Sequence, residues 1–236
     1  MDAMIAWILS FMTVLAPPGR PQFLPEAKET QVEATERYDS IARDIQEVVL
    51  SEPPVFRGAY AQSRTTALIL SLMLHESSFR KDVDFGVGSK ARGDHGNSWC
   101  LMQINIGTGK TLSWNTVRGR FARPGDDSAE VELGWTGREL VEDRKKCIRA
   151  GLRVVRGTLC NNLPQLEWLR AYASGSCSYG SEESQRRMGV AIRWFNSHKP
   201  PMTDAELLAE VKKAATPLPI QQASSAPQEP ISLLRP

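Results

Sequence analysis

The run Ser63–His75 (SRTTALILSLMLH) restricts the fold more than any other stretch of the chain. Its apolar residues fall on nearly every side of a helix, and it is too long for an ordinary strand, so it predicts a helix buried in the core with Ser63 as its N-cap. Other segments carry the amphipathic spacing of helices that pack around such a core. In 27–50, Val32, Tyr38, Ile41, Ile45, Val48 and Val49 form a stripe on a charged background that needs a surface to pack on, and Ser51-Glu52-Pro53-Pro54 stops it. Helical periodicity returns over 137–158, with Leu140, Cys147, Ile148, Leu152 and Val155 on one side, and again over 163–172 and 181–196. A last helix over 203–214 opens on Thr203, with Glu206 at the spacing of a capping box. Residues 80–134 are rich in Gly, Asp, Asn and Arg and read as long loops around one short helix at the apolar island Trp99–Ile106.

The expected fold is therefore mostly α. A single domain over 57–214 follows an N-terminal extension, 1–56, made of an apolar segment, a proline-rich linker and the amphipathic helix. The tail 215–236 holds Pro217, Pro219, Pro227, Pro230 and Pro236 among Gln, Ser and Ala, and is expected to be disordered because it cannot bury enough apolar area to offset ordering.

A chain of 236 residues is long enough for one well-packed domain with appendages. With 41% hydrophobic and 24% charged residues, collagen-like, fully disordered and multi-span membrane classes are excluded. The net charge of +2 hides an asymmetry: 1–56 carries 4 Lys/Arg against 9 Asp/Glu, net −5, whereas 57–199 carries 22 against 14, net +8. A basic middle suits a polyanionic partner such as nucleic acid, a membrane face or an anionic cell-wall polymer, or is a solvated surface with no partner.

Cys100, Cys147, Cys160 and Cys177 include no C-x-x-C pair and no histidine at zinc spacing, so no metal is implied. Their even number fits two disulfides, with three connectivities open, and buried free thiols fit equally. Near the start, the 13 apolar residues Met4–Ala16 are too few for a membrane span. They match the apolar region of a secretory signal in length, but no Lys or Arg precedes them and Pro17-Pro18 follow without a small-x-small cleavage site. A helix that lies at an interface or packs on a partner is the other reading. Pro17, Pro18, Pro21 and Pro25 mark the linker.

Chemistry enters at Glu76. Leu68, Leu72 and Glu76 are spaced i, i+4, i+8, so the carboxylate continues an apolar stripe at the C-terminal end of the buried helix. Burial and the negative end of the helix dipole both disfavour its ionised form, which moves it toward the working range of a general acid. The same reasoning applies to the acid of lysozyme, a standard example. A glutamate bonded to a nearby backbone group or arginine is the plainer alternative.

Three segments in order add to this: Glu76-Ser77-Ser78-Phe79, then Gly93-Asp94-His95-Gly96-Asn97-Ser98-Trp99-Cys100-Leu101-Met102-Gln103-Ile104-Asn105, then Ala171-Tyr172-Ala173-Ser174-Gly175. Together, over about residues 60–198, they resemble the goose-type lysozymes and the soluble lytic transglycosylases. The resemblance implies a lysozyme-like domain that cleaves the β-1,4 bond between N-acetylmuramic acid and N-acetylglucosamine in peptidoglycan glycan strands, with no metal or organic cofactor. Glu76 would protonate the glycosidic oxygen, Asp94 would help hold an attacking water, and Gln103, Asn105 and Tyr172 would line the sugar cleft. Trp99 and Trp194 could stack on sugar rings, or be core residues.

The departures from the pattern bear on the product. Asn105 stands where the goose-type sequences have a second aspartate, Cys100 replaces a glycine, and Ala173 replaces an asparagine. With one aspartate fewer to hold water, 1,6-anhydromuramoyl products are expected in preference to hydrolysis by an inverting lysozyme. A wall-binding or virion structural protein with little activity is the competing class. The expected setting is the periplasm or cell envelope after export, or a phage virion. The N-terminal region is suited to attachment to a larger assembly, a phage particle or secretion machinery, and nucleic acid is not expected as a partner. Two motifs are set aside: Gly107-Thr108-Gly109-Lys110-Thr111 lacks the glycine a phosphate loop needs, Ile104 standing in its place, and His75 points to a different helix face from Glu76.

Overall fold

The computed structural model describes residues 2–20, 22, 24–106, 111–118, 120–122, 125–200 and 202–215. The 107–110 part of the phosphate-loop-like segment, Pro21 of the linker and the proline-rich tail beyond 215 lie outside the described residues. The architecture is mostly α. The helices are α1 (Ala3–Leu15), α2 (Gln31–Ser51), α3 (Ala61–Ser77), α4 (Lys81–Asp84), α5 (Gly137–Glu142), α6 (Arg144–Thr158), α7 (Arg170–Ser174), α8 (Ser181–Ser197) and α9 (Asp204–Ala215).

Helix α3 is the axis of the molecule. Of its 17 residues 13 are buried, and α1, α2, α6, α8 and α9 all pack against it. Three of its buried hydroxyl residues are accommodated because they bond back to the helix: Thr65 to the Ala61 carbonyl, Thr66 to that of Gln62, Ser77 to that of Met73. Ser63 is not the cap. The helix begins earlier, after Tyr60, and Ser63 lies inside it, fully buried, while the Asp204 carboxylate accepts from the Gln62 N–H at 3.1 and 3.2 Å. The cap is thus lent by α9, 142 residues away in sequence, which satisfies one of the donors a helix N-terminus leaves open.

Residues 1–56 are part of this core rather than an appendage to it. Met4, Ile8, Phe11 and Met12 of α1 and Ile41, Ile45 and Val48 of α2 are buried in the same cluster as Leu68 and Leu72 of α3. The apolar segment 4–16 has its partner within the chain: Phe11 meets the Trp194 ring edge-on at 5.0 Å, and the Trp7 indole N–H donates to the His198 carbonyl at 2.7 Å. Val32 alone of the expected α2 stripe is exposed, on the first turn of the helix. Among the described residues no helix is long and apolar enough to cross a membrane.

Part of the charge asymmetry is met within the fold. Acidic α2 lies along basic α6: Asp44 pairs with Arg144, Glu47 with Lys145, and Glu52 with Arg149 at 2.9 Å and Arg156 at 3.2 Å. Asp84 of α4, its side chain 2% exposed, takes Arg144 at 2.8 Å and Arg37 at 3.5 Å.

Between 98 and 136 the described residues include five short strands where loops and a short helix are expected. The island at 99–106 is a small hairpin, β1 (Ser98–Trp99) against β2 (Ile104–Asn105). Beyond it β3 (Thr111–Asn115) pairs on its two sides with β4 (Arg120–Phe121) and β5 (Val131–Thr136), all antiparallel. The register between β3 and β5 slips between Leu112 and Trp114, and Gly134 faces the slip: a Cβ there would lie 2.1 Å from the Leu112 carbonyl oxygen. Residues 137–158 break at Asp143, whose carboxylate caps α6 by accepting from the Lys145 and Lys146 N–H groups. The expected helix over 163–172 is reduced to a short 3-10 turn and the five-residue α7. The capping box at Thr203 is present. All four cysteines are bonded, Cys100 to Cys147 and Cys160 to Cys177.

Candidate functional site

Glu76 reaches the surface because α3 ends just beyond it. Ser78 and Phe79 adopt left-handed backbone, φ 51° and 52°, a conformation that costs a non-glycine residue about 1–2 kcal/mol. Phe79, fully buried and edge-on to Tyr38 at 5.9 Å, offsets that cost and anchors the exit from the helix. The Ser77 hydroxyl accepts from the Phe79 N–H at 3.3 Å. The four residues 76–79 are therefore one device, which stops a buried helix and leaves its last carboxyl at the mouth of a cleft.

That cleft, of about 400 Å³, is lined by Glu76, Asp94, Gln103, Asn105, Tyr172 and Arg187, with Ile104, Leu112, Val154 and Ala173 as its apolar wall. Five of the six expected site residues are brought together there. Trp99 is not: its indole packs on Gly137, where a Cβ would approach within 2.2 Å, and the Arg92 guanidinium lies over it at 4.6 Å. Trp194 is a core residue, stacked on His198.

The 93–105 segment is built around the Gln103 amide. Its Oε1 accepts from the Gly93 N–H at 2.7 Å, and its Nε2 donates to the carbonyls of Ala91 at 3.2 Å and Cys100 at 3.0 Å. Both Nε2 hydrogens are thus committed, and Gln103 shapes the cleft instead of offering it free donors. A Cβ at Gly93 would lie 2.7 Å from that Oε1, so a larger residue there would displace the Gln103 amide. Cys100 occupies left-handed backbone, φ 60°, and its disulfide fastens the turn to α6. The cross-link supplies the hold on this turn.

The two carboxylates have opposite environments. Asp94 is exposed, and its Oδ2 accepts from the Ser98 hydroxyl at 2.5 Å and the Asn105 amide at 3.2 Å, bonds that hold its pKa below the usual range. Glu76, its side chain 19% exposed, has its pKa raised by burial, against the pull of Arg187 and with a smaller push from Asp94. The arrangement therefore moves the two carboxyl groups in opposite directions, Glu76 toward its protonated form and Asp94 toward its ionised one. Tyr172 donates to the Met102 carbonyl at 3.2 Å, and burial followed by the Glu76 charge pushes its hydroxyl above the usual tyrosine range.

Arg187 of α8 is the site residue that sequence reasoning missed. It donates to Glu76 Oε1 from Nε at 3.1 Å and from Nη2 at 2.9 Å. The signal for it resembled the one for Glu76: Arg187 precedes the buried Ala191 by four residues and Trp194 by seven, so a charge continues an apolar stripe. His75 does not line the cleft but lies near Arg186 and Arg187. Its pKa is lowered by burial and then by Arg187 and Arg186, which keeps the imidazole neutral. Among the described residues no group of three or more His, Cys, Asp or Glu side chains is placed to hold a metal. Compared with family models, curated proteins and solved structures, the chain finds no match.

Proposed function

We propose that the chain is a lysozyme-like enzyme that cleaves peptidoglycan between N-acetylmuramic acid and N-acetylglucosamine, with Glu76 as the general acid. One observation carries this reading: a carboxyl raised by burial at the end of an apolar helix opens on a cleft it shares with Asp94, Gln103, Asn105 and Tyr172. Protonation of the glycosidic oxygen by Glu76 breaks the bond to C1 of the muramic acid, with the 2-acetamido oxygen assisting from the same sugar.

Capture of C1 by the sugar's own 6-hydroxyl is favoured over capture by water. A water-activating base works best with a pKa near the operating pH, and the two hydrogen bonds from Ser98 and Asn105 move Asp94 the other way. Glu76, now a carboxylate, takes the 6-hydroxyl proton as O6 bonds to C1, and the product is 1,6-anhydromuramoyl. This is lytic transglycosylase chemistry, and it needs no cofactor. We assign the activity to the bacterial envelope, reached by export or carried on a phage particle.

Digestion of purified peptidoglycan followed by mass spectrometry tests the reading, since anhydro products are one water lighter than reducing ends. Reducing ends alone mean that Asp94 serves as base and the enzyme is an inverting lysozyme. The Glu76–Arg187 pair also favours a second reading, a wall-binding module whose acid is neutralised. Binding to the wall without release of fragments identifies that case.

A further inference from the structure

The ion pair at the centre of the cleft is incomplete on both sides. Both Arg187 donors go to Oε1 of Glu76, and no described residue donates to Oε2. On the arginine, Nη1 is buried and has no hydrogen-bond partner. A side-by-side fork would have used both carboxyl oxygens and held the two groups more firmly. The Ser71 hydroxyl of α3 donates to the Arg187 carbonyl at 2.6 Å and ties the backbone of α8 to α3 at this point, which leaves the Arg187 side chain as the part of the pair able to swing.

Resting on the function proposed above, we propose that Arg187 is a positioning residue which keeps Glu76 ionised while the cleft is empty and releases it when an N-acetylated glycan enters, so that substrate binding loads the catalytic proton. Nη1–H is unpartnered where it lies buried, so a swing of the guanidinium away from Oε1 leaves no hydrogen bond of Nη1 behind and brings it to a sugar acetamido carbonyl that satisfies it. Without its cation Glu76 is left with burial and the Asp94 charge, both of which favour the protonated form, and it takes a proton from solvent. That proton passes to the glycosidic oxygen as the C1–O bond breaks. The proton returned from the 6-hydroxyl leaves for solvent when product departs and Arg187 swings back, so the cycle closes.

The charged and titratable groups around Glu76 fit this division of labour. Asp94 is held by Ser98 and Asn105 and does not compete for Arg187. Tyr172 of α7 keeps its proton, His75 of α3 is neutral, and Arg186 of α8 is paired with Glu183 at 3.6 Å. Arg187 is the cation that directly holds the carboxylate.

Carbon-13 NMR titration of the Glu76 carboxyl tests this in the full chain, assigned by its loss in Glu76→Gln. The proteins are wild type, Arg187→Met and Arg187→Lys, each with and without the N-acetylglucosamine trimer. Loss of a close opposite charge raises a carboxyl pKa by about 1–3 units, so Arg187→Met should titrate that much higher than wild type, with Arg187→Lys between them. The trimer should raise the wild-type midpoint and leave that of Arg187→Met in place. Should Arg187→Met fail to fold, an unaltered midpoint in Arg187→Lys overturns the proposal, and a raised one supports it. Equal midpoints in wild type and Arg187→Met, or a trimer that binds without moving the wild-type midpoint, overturn it as well. Failure of the trimer to bind counts against the glycan reading and the loading step together. Absence of muropeptide release by wild type overturns the enzyme reading separately, and equal release by wild type and Glu76→Gln overturns Glu76 as its acid, while the titration still reports on the pair.

Discussion

Asn105 donates to Oδ2 of Asp94 at 3.2 Å, the oxygen that also accepts from the Ser98 hydroxyl at 2.5 Å. Asn105→Asp removes a donor and sets a second carboxylate against the first, which raises the Asp94 pKa and improves it as a base. The variant should convert part of the anhydro product into the hydrolysed form, one water heavier by mass spectrometry. An unchanged product ratio would show that Asp94 has no access to the reacting carbon.

The pH dependence follows from burial of Glu76. A general acid works in its protonated form, and a raised pKa preserves that form to higher pH than an ordinary glutamate would. Cleavage should therefore decline as pH rises through the Glu76 pKa in the substrate complex. Measuring kcat against pH tests this, and a rate that rises across the same limb would assign the limiting role to a base.

Glu52 and Glu47 separate structural from ornamental charge. Glu52, with 12% side-chain exposure, meets Arg149, Arg153 and Arg156, so Glu52→Gln leaves partly buried arginines underpaired. A loss of about 2 kcal/mol is expected, a value between those for exposed and buried pairs. The Glu47–Lys145 pair is 60% and 39% exposed, and its removal should cost under about 1 kcal/mol. Urea midpoints of the two variants measure the contrast.

The same pairing explains how far the sequence could be read. Stripes that repeat at helical spacing, as in α2 and α8, announce themselves locally, and so does the Thr203–Glu206 capping box. The basic block was visible too, but its partner was not, because α2 and α6 meet only in the fold. Asp204 as the cap of α3 and Arg187 as the partner of Glu76 are likewise long-range facts, 142 and 111 residues apart. The sheet was legible locally and was overlooked: Leu112 and Trp114 in β3, and Val131, Leu133 and Trp135 in β5, alternate with other residues at the period of two that identifies a strand, inside a stretch whose Gly, Asp, Asn and Arg content reads as loop.

The Cys100–Cys147 bond closes a sequence separation of 47 residues, for which loop-closure entropy gives about 4 kcal/mol. Replacing both residues with Ala should lower thermal stability and loosen the turn that carries Gln103. Unfolding scans of this double variant measure the first effect, and the substrate KM reports the second. An unchanged melting temperature would mean that packing alone holds the turn on α6.

Release of soluble muropeptides from purified peptidoglycan by wild type and Glu76→Gln tests the central claim most directly. The amide keeps the shape of the side chain but has no proton to donate, and general acid catalysis is worth roughly 100- to 10,000-fold. The account predicts a loss of that size with the melting temperature retained. A Glu76→Gln protein that keeps more than about a tenth of the wild-type rate contradicts it, because the reaction would then not pass through this carboxyl.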